Sequence, residues 1–422
     1  MEERKMPGLI DKKEPSLKDY EQIVGSGVID ELKCLARALK GKRIQHINST
    51  RVGGGVAEML NRVIPLMKEL GVDIQWDVIE GNPDFFNVTK KFHNSLHGRE
   101  EGITDKDLEI YLNTAHKYIK DTEITGDVVF VHDPQPIALI QKKKDNNNRK
   151  WIWRCHIDVS SPDERVWNFL EGFIEGYDAS MFSSPKFTRS LKIPQFLICP
   201  AIDPLCDKNK ELEPKVIEEV LSRYKIDKDK PIVTQVSRYD YLKDPVGVVE
   251  AFRMAKHYVD CQLVLAGNKA ADDPETEKVL AEVRKAADGL SDVKLLMISP
   301  ETNNIDVNAI QRASSVILQK SIREGFALTV TEALWKCKPV IASSVGGIPL
   351  QIKHKYSGLL CHSVEGAAMY IKQILHNPEY ASTLALNGRV HIERNFLITR
   401  LIREHMLIAL ATFNKGKDVV SL

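Results

Sequence analysis

The sequence predicts an α/β protein of two doubly wound domains, each built on a parallel sheet, facing one another across a cleft. Three observations lead there. The chain has 422 residues, too many for one ordinary core. Short apolar runs alternate with amphipathic helical stretches twice over, from Arg43 to Cys199 and again from Ile232 onward. Glycine-bearing turns join strand to helix in both rounds, at Gly53-Gly54-Gly55, at Ile322-Arg323-Glu324-Gly325-Phe326 and at Gly346-Gly347. Turns of this kind point backbone N–H groups and the positive end of a helix dipole at a ligand beyond the carboxyl ends of the strands. Each domain therefore offers an anion site to the same cleft.

Composition narrows the partners. Lys and Arg number 59 against 58 Asp and Glu, a net charge of +1, so no polyanion-binding surface and no nucleic-acid partner are expected. No apolar core of signal-peptide length and no run approaching a membrane span is present, so no membrane association is expected. Seven cysteines without a Cys-x-x-Cys pair predict neither structural zinc nor a disulfide framework, and a reducing cytoplasm is the expected setting.

In chain order, a polar arm and a helix near Val28–Leu39 precede the first strand, Arg43–Ser49. The three glycines follow, then a helix from Val56 to Leu70 ended by Gly71; the glycines suit either a close-approach anion loop or a tight turn. They match neither the G-x-G-x-x-G fingerprint nor a Walker loop. Val72–Ile79 is the second strand, and Gly81–His97 is expected to be a ligand-facing loop carrying Phe92, His93 and Asn94. Strands Asp127–Val131 and Trp151–Ile157 deliver Asp133, Gln135 and His156 near their ends, with Lys142–Lys150 a solvated surface loop between them. A helix near Val166–Ile174 and strands near Ala179–Phe182 and Phe196–Cys199 complete the first round.

The charged stretch Cys206–Lys230 is expected to connect the domains. The first domain then takes residues 1–205 together with about 395–422, and the second takes 206–394. In the second round, strand Ile232–Val236 leads to Arg238 and Lys243, and Gln262–Ala266 and Val293–Ile298 are further strands. Helices are expected over Glu275–Ala287 and Val307–Ser314, and three more, near Glu365–Leu375, Pro378–Ala385 and Arg400–Ala411, close the chain.

The densest stretch is Val316–Ser344: a buried strand, the Glu324-Gly325-Phe326 loop, a helix from Leu328 and a second strand opened by Pro339. Glu324 just before that helix and Glu332 about a turn into it would reach the reacting end and the ribose of a nucleotide-linked group. A competing arrangement is structural. Thr329-Val330-Thr331-Glu332 also fits a capping box, and with 58 acids in 422 residues an acid at that spacing arises about once in seven.

Arg238, Lys243, Glu324-Gly325-Phe326 and Glu332 together resemble the retaining GT-B glycosyltransferases related to glycogen and sucrose-phosphate synthases. The first half is more particular. His46–Thr50 with Gly53–Glu58, Phe86–Asn94, Val131–Pro136 and Trp153–Asp158 are similar to the trehalose glycosyltransferring synthases and to the trehalose phosphorylases. The resemblance runs from about Leu39 to the last helix and implies a GT-B fold of two Rossmann-like domains. It implies that Arg238 and Lys243 bind a donor diphosphate, with the loop Phe326-Ala327-Leu328-Thr329 and Gly54 and Gly55 completing the cradle. Glu332 would hold the ribose, and Glu324 the hydroxyls of the transferred sugar. His156 would touch the donor sugar and, with Asn94, Asp133 and Gln135, would lie by the acceptor. The family commonly has a second glycine where this chain has Ala327, so a positive φ there would strain the loop.

The implied activity is formation of trehalose from a nucleoside diphosphate glucose and free glucose with retained anomeric configuration, open to reversal. A metal ion or other cofactor is not expected. A trehalose phosphorylase and a non-catalytic sugar-nucleotide-binding regulator are the alternatives. The base of the donor is left open among ADP, UDP and GDP, and a homodimer is compatible with the sequence. Free glucose, rather than a phosphorylated sugar, is expected because no Arg/Lys cluster is evident in the acceptor-side motifs.

Overall fold

The computed structural model describes residues 14–52, 54–267, 274–299 and 302–414; Gly53 and the adjacent acids Asp272 and Asp273 lie outside them. The apolar runs of the first round become β1 (Arg43–Asn48), β2 (Asp73–Val78), β3 (Val128–His132), β4 (Lys150–Arg154), β5 (Ala179–Phe182) and β6 (Gln195–Leu197). They pair in the order β2-β1-β3-β4-β5-β6, all parallel. The second round gives β7 (Ile232–Val236), β8 (Gln262–Gly267), β9 (Val293–Met297), β10 (Val316–Gln319), β11 (Val340–Ser343) and β12 (Leu359–Cys361). Their order is β12-β11-β10-β7-β8-β9, again parallel throughout. In each sheet the strand order reverses beside the first strand, between β1 and β3 and between β7 and β10. Ligands of open parallel sheets bind in the crevice at such a point, outside the carboxyl ends.

Helices cover both faces of each sheet, as strands apolar on both sides require. All five residues of β3 and of β7 are buried. The last helix, Ile398–Phe413, returns to the first sheet, where Leu401, Ile402, Met406 and Ala409 share a core with Leu60, Val63 and Phe130. A parallel bridge between Ile202 and Leu397 ties the two crossings of the chain together.

Several elements differ from the sequence expectation. Gly81–His97 is not a loop: Pro83–Leu96 is a helix, capped by Asn82, whose side chain accepts the Phe85 N–H at 2.8 Å. Phe85, Val88, Thr89, Phe92 and Leu96 fall on one face and are buried, a 3–4-residue spacing masked by the polar residues between them. Phe92 therefore packs in the core, while Phe86, His93 and Asn94 line the cleft. A helix over Asp105–Asp121, with a Thr104–Asp107 capping box, fills the unassigned stretch before β3. The domain connection contains a helix, Pro214–Arg223, and the N-terminal arm carries another, Leu17–Val24. The strand expected over Trp151–Ile157 ends at Arg154, which leaves His156 on the following loop. Among the described residues no helix is long and apolar enough to cross a membrane.

Candidate active site

A cleft of about 1260 Å³ lies between the carboxyl ends of the two sheets. The first domain lines it with Gly54 and Gly55 after β1, Gln135 after β3, His156 after β4, and Asn94 on the helix Pro83–Leu96. The second lines it with Arg238 and Lys243 after β7, Glu324 and Phe326 after β10, and the helix start at Ala327, Leu328, Thr329 and Glu332. The two walls meet. A Cβ on Gly55 would lie 3.1 Å from Leu328 Cδ1, and one on Gly325 would lie 2.7 Å from the His156 carbonyl oxygen. The absence of side chains at these glycines is what lets the walls approach.

Lys243 is held from both ends. Its carbonyl accepts from the Gln235 amide at 3.1 Å, and its Nζ lies 2.6 Å from Glu324 Oε2, which also accepts the Ser321 hydroxyl at 3.1 Å. Asp244, in the left-handed region with φ 46°, accepts the Gly247 N–H at 3.1 Å and pairs with Lys320, so the turn carrying Lys243 is fixed. The acidic charge next to Lys243 is thereby engaged by Lys320. Arg238 is about half exposed and pairs with Asp240 at 3.3 Å. These cations act across the cleft. The His97 imidazole is pushed down to about 4 by burial and then by Lys243 and Arg323, and His93 down to about 3 by burial, His97 and Arg238. Lys90 and Arg99 line the same space, and Arg99 pairs with Glu101 at 3.3 Å.

Glu332 does not form the capping box. The helix Leu328–Trp335 has Ala327 at its N-cap with no side-chain cap bond, and the Thr329 hydroxyl goes to Gln319 Oε1 at 3.3 Å. Glu332 is buried, and its Oε2 has no hydrogen-bond partner. Its Oε1 lies 3.9 Å from Lys208 Nζ, and Lys208 also bonds Glu58 at 2.9 Å. Burial pushes the Glu332 carboxyl pKa up, and the Lys208 and Lys336 ammonium groups oppose that shift. Gln135 Oε1 is a second buried oxygen without a partner. Unpaired buried acceptors are rare in folded proteins, and both of these residues line the cleft.

Asp133 does not line the cleft. At φ 64° its Oδ1 accepts the His156 N–H at 2.8 Å, its carbonyl accepts the Trp153 indole N–H at 3.0 Å, and burial raises its carboxyl to about 6. It holds the His156 backbone in place. Asn94 donates to Glu101 at 2.9 Å. The role of Lys208 escaped the sequence reading because a charged connection looks solvated, and its pairing with Glu58, far away in sequence, leaves no local pattern. Among the described residues, no group of three or more His, Cys, Asp and Glu is placed to hold a metal ion.

Ala327 adopts φ 69°, the strained conformation anticipated for a position usually occupied by glycine. Ala327→Gly should therefore raise stability by about 0.5–1 kcal/mol, the relief of left-handed strain less the extra freedom of the unfolded chain. A lowered denaturant midpoint would show that the conformation is not costly there.

Residues 46–189 match the family model for the trehalose synthase N-terminal domain, and residues 216–391 match that for group 1 glycosyl transferases. The chain is 41% identical over 399 residues to the trehalose synthase of Pyrococcus horikoshii, covering 92% of this chain and 95% of that one. It is 29% identical to the trehalose phosphorylase of Grifola frondosa, covering 89% of this chain but 58% of the other. An α,α-trehalose-phosphate synthase (UDP-forming) from Burkholderia xenovorans, solved in complex with glucose-6-phosphate, superposes with a TM-score of 0.69 at 13% identity, covering 87% of this chain and 99% of that one. The architecture is GT-B, and by identity across nearly its whole length the chain belongs to the trehalose synthase family of glycosyltransferases.

Proposed function

We propose that the protein transfers glucose from a nucleoside diphosphate glucose to free glucose, with retention, to form α,α-trehalose. The observation that carries the reading is convergence on one cleft of the Arg238 and Lys243 cations, two helix N-termini and the unpaired buried carboxylate oxygen of Glu332. First-turn N–H groups of the helices at Gly54 and Leu328 have no intrahelical partner and suit a diphosphate. Arg238 can bridge two of its oxygens, and Lys243 can follow the charge that develops on it.

In the reaction, the bond from the sugar C1 to the diphosphate oxygen breaks as C1 bonds the acceptor hydroxyl oxygen. The acceptor approaches on the face the diphosphate leaves, and its proton passes to a leaving-group oxygen. Glu324 accepts from hydroxyls of the transferred sugar, and His156 contacts that sugar. Gln135 and Asn94 face the acceptor, and Asp133 keeps His156 in register. The close approach at Gly55 and Gly325 limits water, which would otherwise hydrolyse the donor. Because Arg238, Lys243 and the helix N-termini supply the positive charge, no divalent metal is required.

Free glucose is chosen as acceptor because the synthase relatives are named for trehalose, which carries no phosphate. The test supplies ADP-, UDP- and GDP-glucose with glucose or glucose 6-phosphate, with and without a chelator, and identifies the disaccharide by its anomeric couplings. A non-reducing α,α-linked product from glucose, undiminished by chelator, is expected. Preference for glucose 6-phosphate, a β linkage, or metal-restored activity would overturn the corresponding part. Rapid phosphorolysis of trehalose with no transfer from any sugar nucleotide would favour the phosphorylase reading, which the Grifola relative represents.

Glu332→Gln separates ribose binding from structure. With no cap bond to lose, the melting temperature should not fall, while nucleotide-sugar affinity should weaken by roughly 1.5–3 kcal/mol, the value of a hydrogen bond to a charged acceptor. Unaltered affinity in a titration would remove Glu332 from the ribose site.

A further inference from the structure

Three histidines, within β1, at the end of β3 and on the loop after β4, form a hydrogen-bonded row leading inward from the cleft. His156 Nε2 lies 3.0 Å from His132 Nδ1, and His132 Nε2 lies 2.9 Å from His46 Nδ1. His46 stacks on Phe130 and lies against His405 of the last helix, and its Nε2 is buried without a partner. Burial pushes His46 down to about 3 and His132 and His156 well below their ordinary value, and the neighbouring Arg154 cation opposes protonation of His132 and His156 further. All three rings are therefore neutral, with one N–H each.

That arithmetic couples them. His132 must donate one of its two bonds and accept the other, so only two arrangements exist. In one, every ring carries its proton on Nδ1; in the other, every ring carries it on Nε2. The second leaves a buried His46 Nε2–H with no acceptor, whereas the first leaves only a bare lone pair there. Orphaned buried N–H donors are the rarer of the two defects in folded proteins. His156 uses Nε2 within the row, so Nδ1 is the nitrogen left for the cleft it lines.

We infer that His132 and His46 are positioning residues that lock His156 as its Nδ1–H tautomer, so that it presents a hydrogen-bond donor, never an acceptor, to the sugar. The inference rests on the reading of His156 as a sugar contact and adds the two residues that set its polarity. A fixed donor selects a sugar oxygen with a free lone pair and supplies it without a positive charge, which leaves the cations of the opposite wall to act on the diphosphate alone.

The experiment uses the full chain with 15N-labelled histidine and long-range proton–nitrogen correlation, which distinguishes the two tautomers without any turnover. The wild type should show His46, His132 and His156 all protonated on Nδ1. His132→Phe keeps an aromatic ring and removes both bonds. It should leave His156 averaging between tautomers and weaken binding of a nucleoside diphosphate glucose by about tenfold, the factor carried by one neutral hydrogen bond. Affinity for the nucleoside diphosphate without the sugar should not change. An Nε2–H signal for any of the three rings in the wild type overturns the inference, whether or not the variant folds. So does a His132→Phe variant whose His156 stays wholly Nδ1–H with sugar affinity intact. If the wild type fails to bind any nucleoside diphosphate glucose, the function assigned to the cleft fails instead, and the tautomer spectrum still decides the lock.

Discussion

Lys243→Ala is expected to lower kcat by about 10²–10³, the range for losing one preorganised stabiliser of a developing anion. The structure gives this loss two sources. The ammonium group would no longer meet the departing diphosphate, and Glu324, now 2.6 Å from Lys243 Nζ, would keep its charge with its cation gone. An uncompensated carboxylate beside a diphosphate raises the barrier further. Lys243→Arg keeps the charge in a larger planar group and should recover only part of the rate, because the turn fixed by Gln235 and Asp244 leaves the longer side chain little freedom. Stability should also fall, by about 1–3 kcal/mol, because Glu324 is only 11% exposed and is left with the Ser321 hydroxyl as its partner. A tenfold or smaller loss of kcat, measured at saturating donor, would make the lysine peripheral.

The repeated alternation of apolar runs and helices was sufficient to foresee both sheets, because strands buried on both faces must be continuous apolar runs and their crossovers must be amphipathic. The residues lining the cleft were legible for the same reason that they are accessible: they follow strand ends and interrupt the periodic pattern. That interruption also misled. Pro83–Leu96 buries Phe85, Val88, Phe92 and Leu96 while turning Asn87, Lys90, His93 and Asn94 toward the cleft, so its functional face hid its helical period. Two things were not legible. The Glu58–Lys208–Glu332 contacts join residues 150 and 124 positions apart, and the His46–His132–His156 row crosses three neighbouring strands and their loops. Both depend on which loops the sheet order brings side by side, and local spacing carries no record of that. The capping-box alternative for Glu332 fails on a similar point, since the N-cap of the helix is Ala327 rather than Thr329.

Gly346→Ala is expected to lower kcat by about 10²-fold or more and stability by about 2–4 kcal/mol, through backbone rather than through any functional group. Gly346 has φ 54°, and a Cβ built on it would stand 1.6 Å from the carbonyl oxygen of Glu324. The neighbouring Gly347 donates its N–H to the Gly325 carbonyl at 3.1 Å, so the loop after β11 lies directly against the loop that carries Glu324. On its other side that loop meets His156 of the first domain, 2.7 Å from where a Gly325 Cβ would be. The three loops are stacked without slack. An added methyl must therefore push Glu324 and Gly325 by more than an ångström toward His156, which misplaces the carboxylate paired with Lys243 and spreads the two walls. Displacements of about 1 Å in positioning groups are enough for a hundredfold loss. Ala327 provides the contrast, because it too is left-handed yet its Cβ is accommodated, so strain alone does not account for the expected loss at Gly346. The measurement is kcat at saturating substrates together with a denaturant melt, on Gly346→Ala and on Ala327→Gly in parallel. A Gly346→Ala enzyme with wild-type kcat would mean that the loop stack yields without disturbing Glu324, and that its packing does not position the carboxylate.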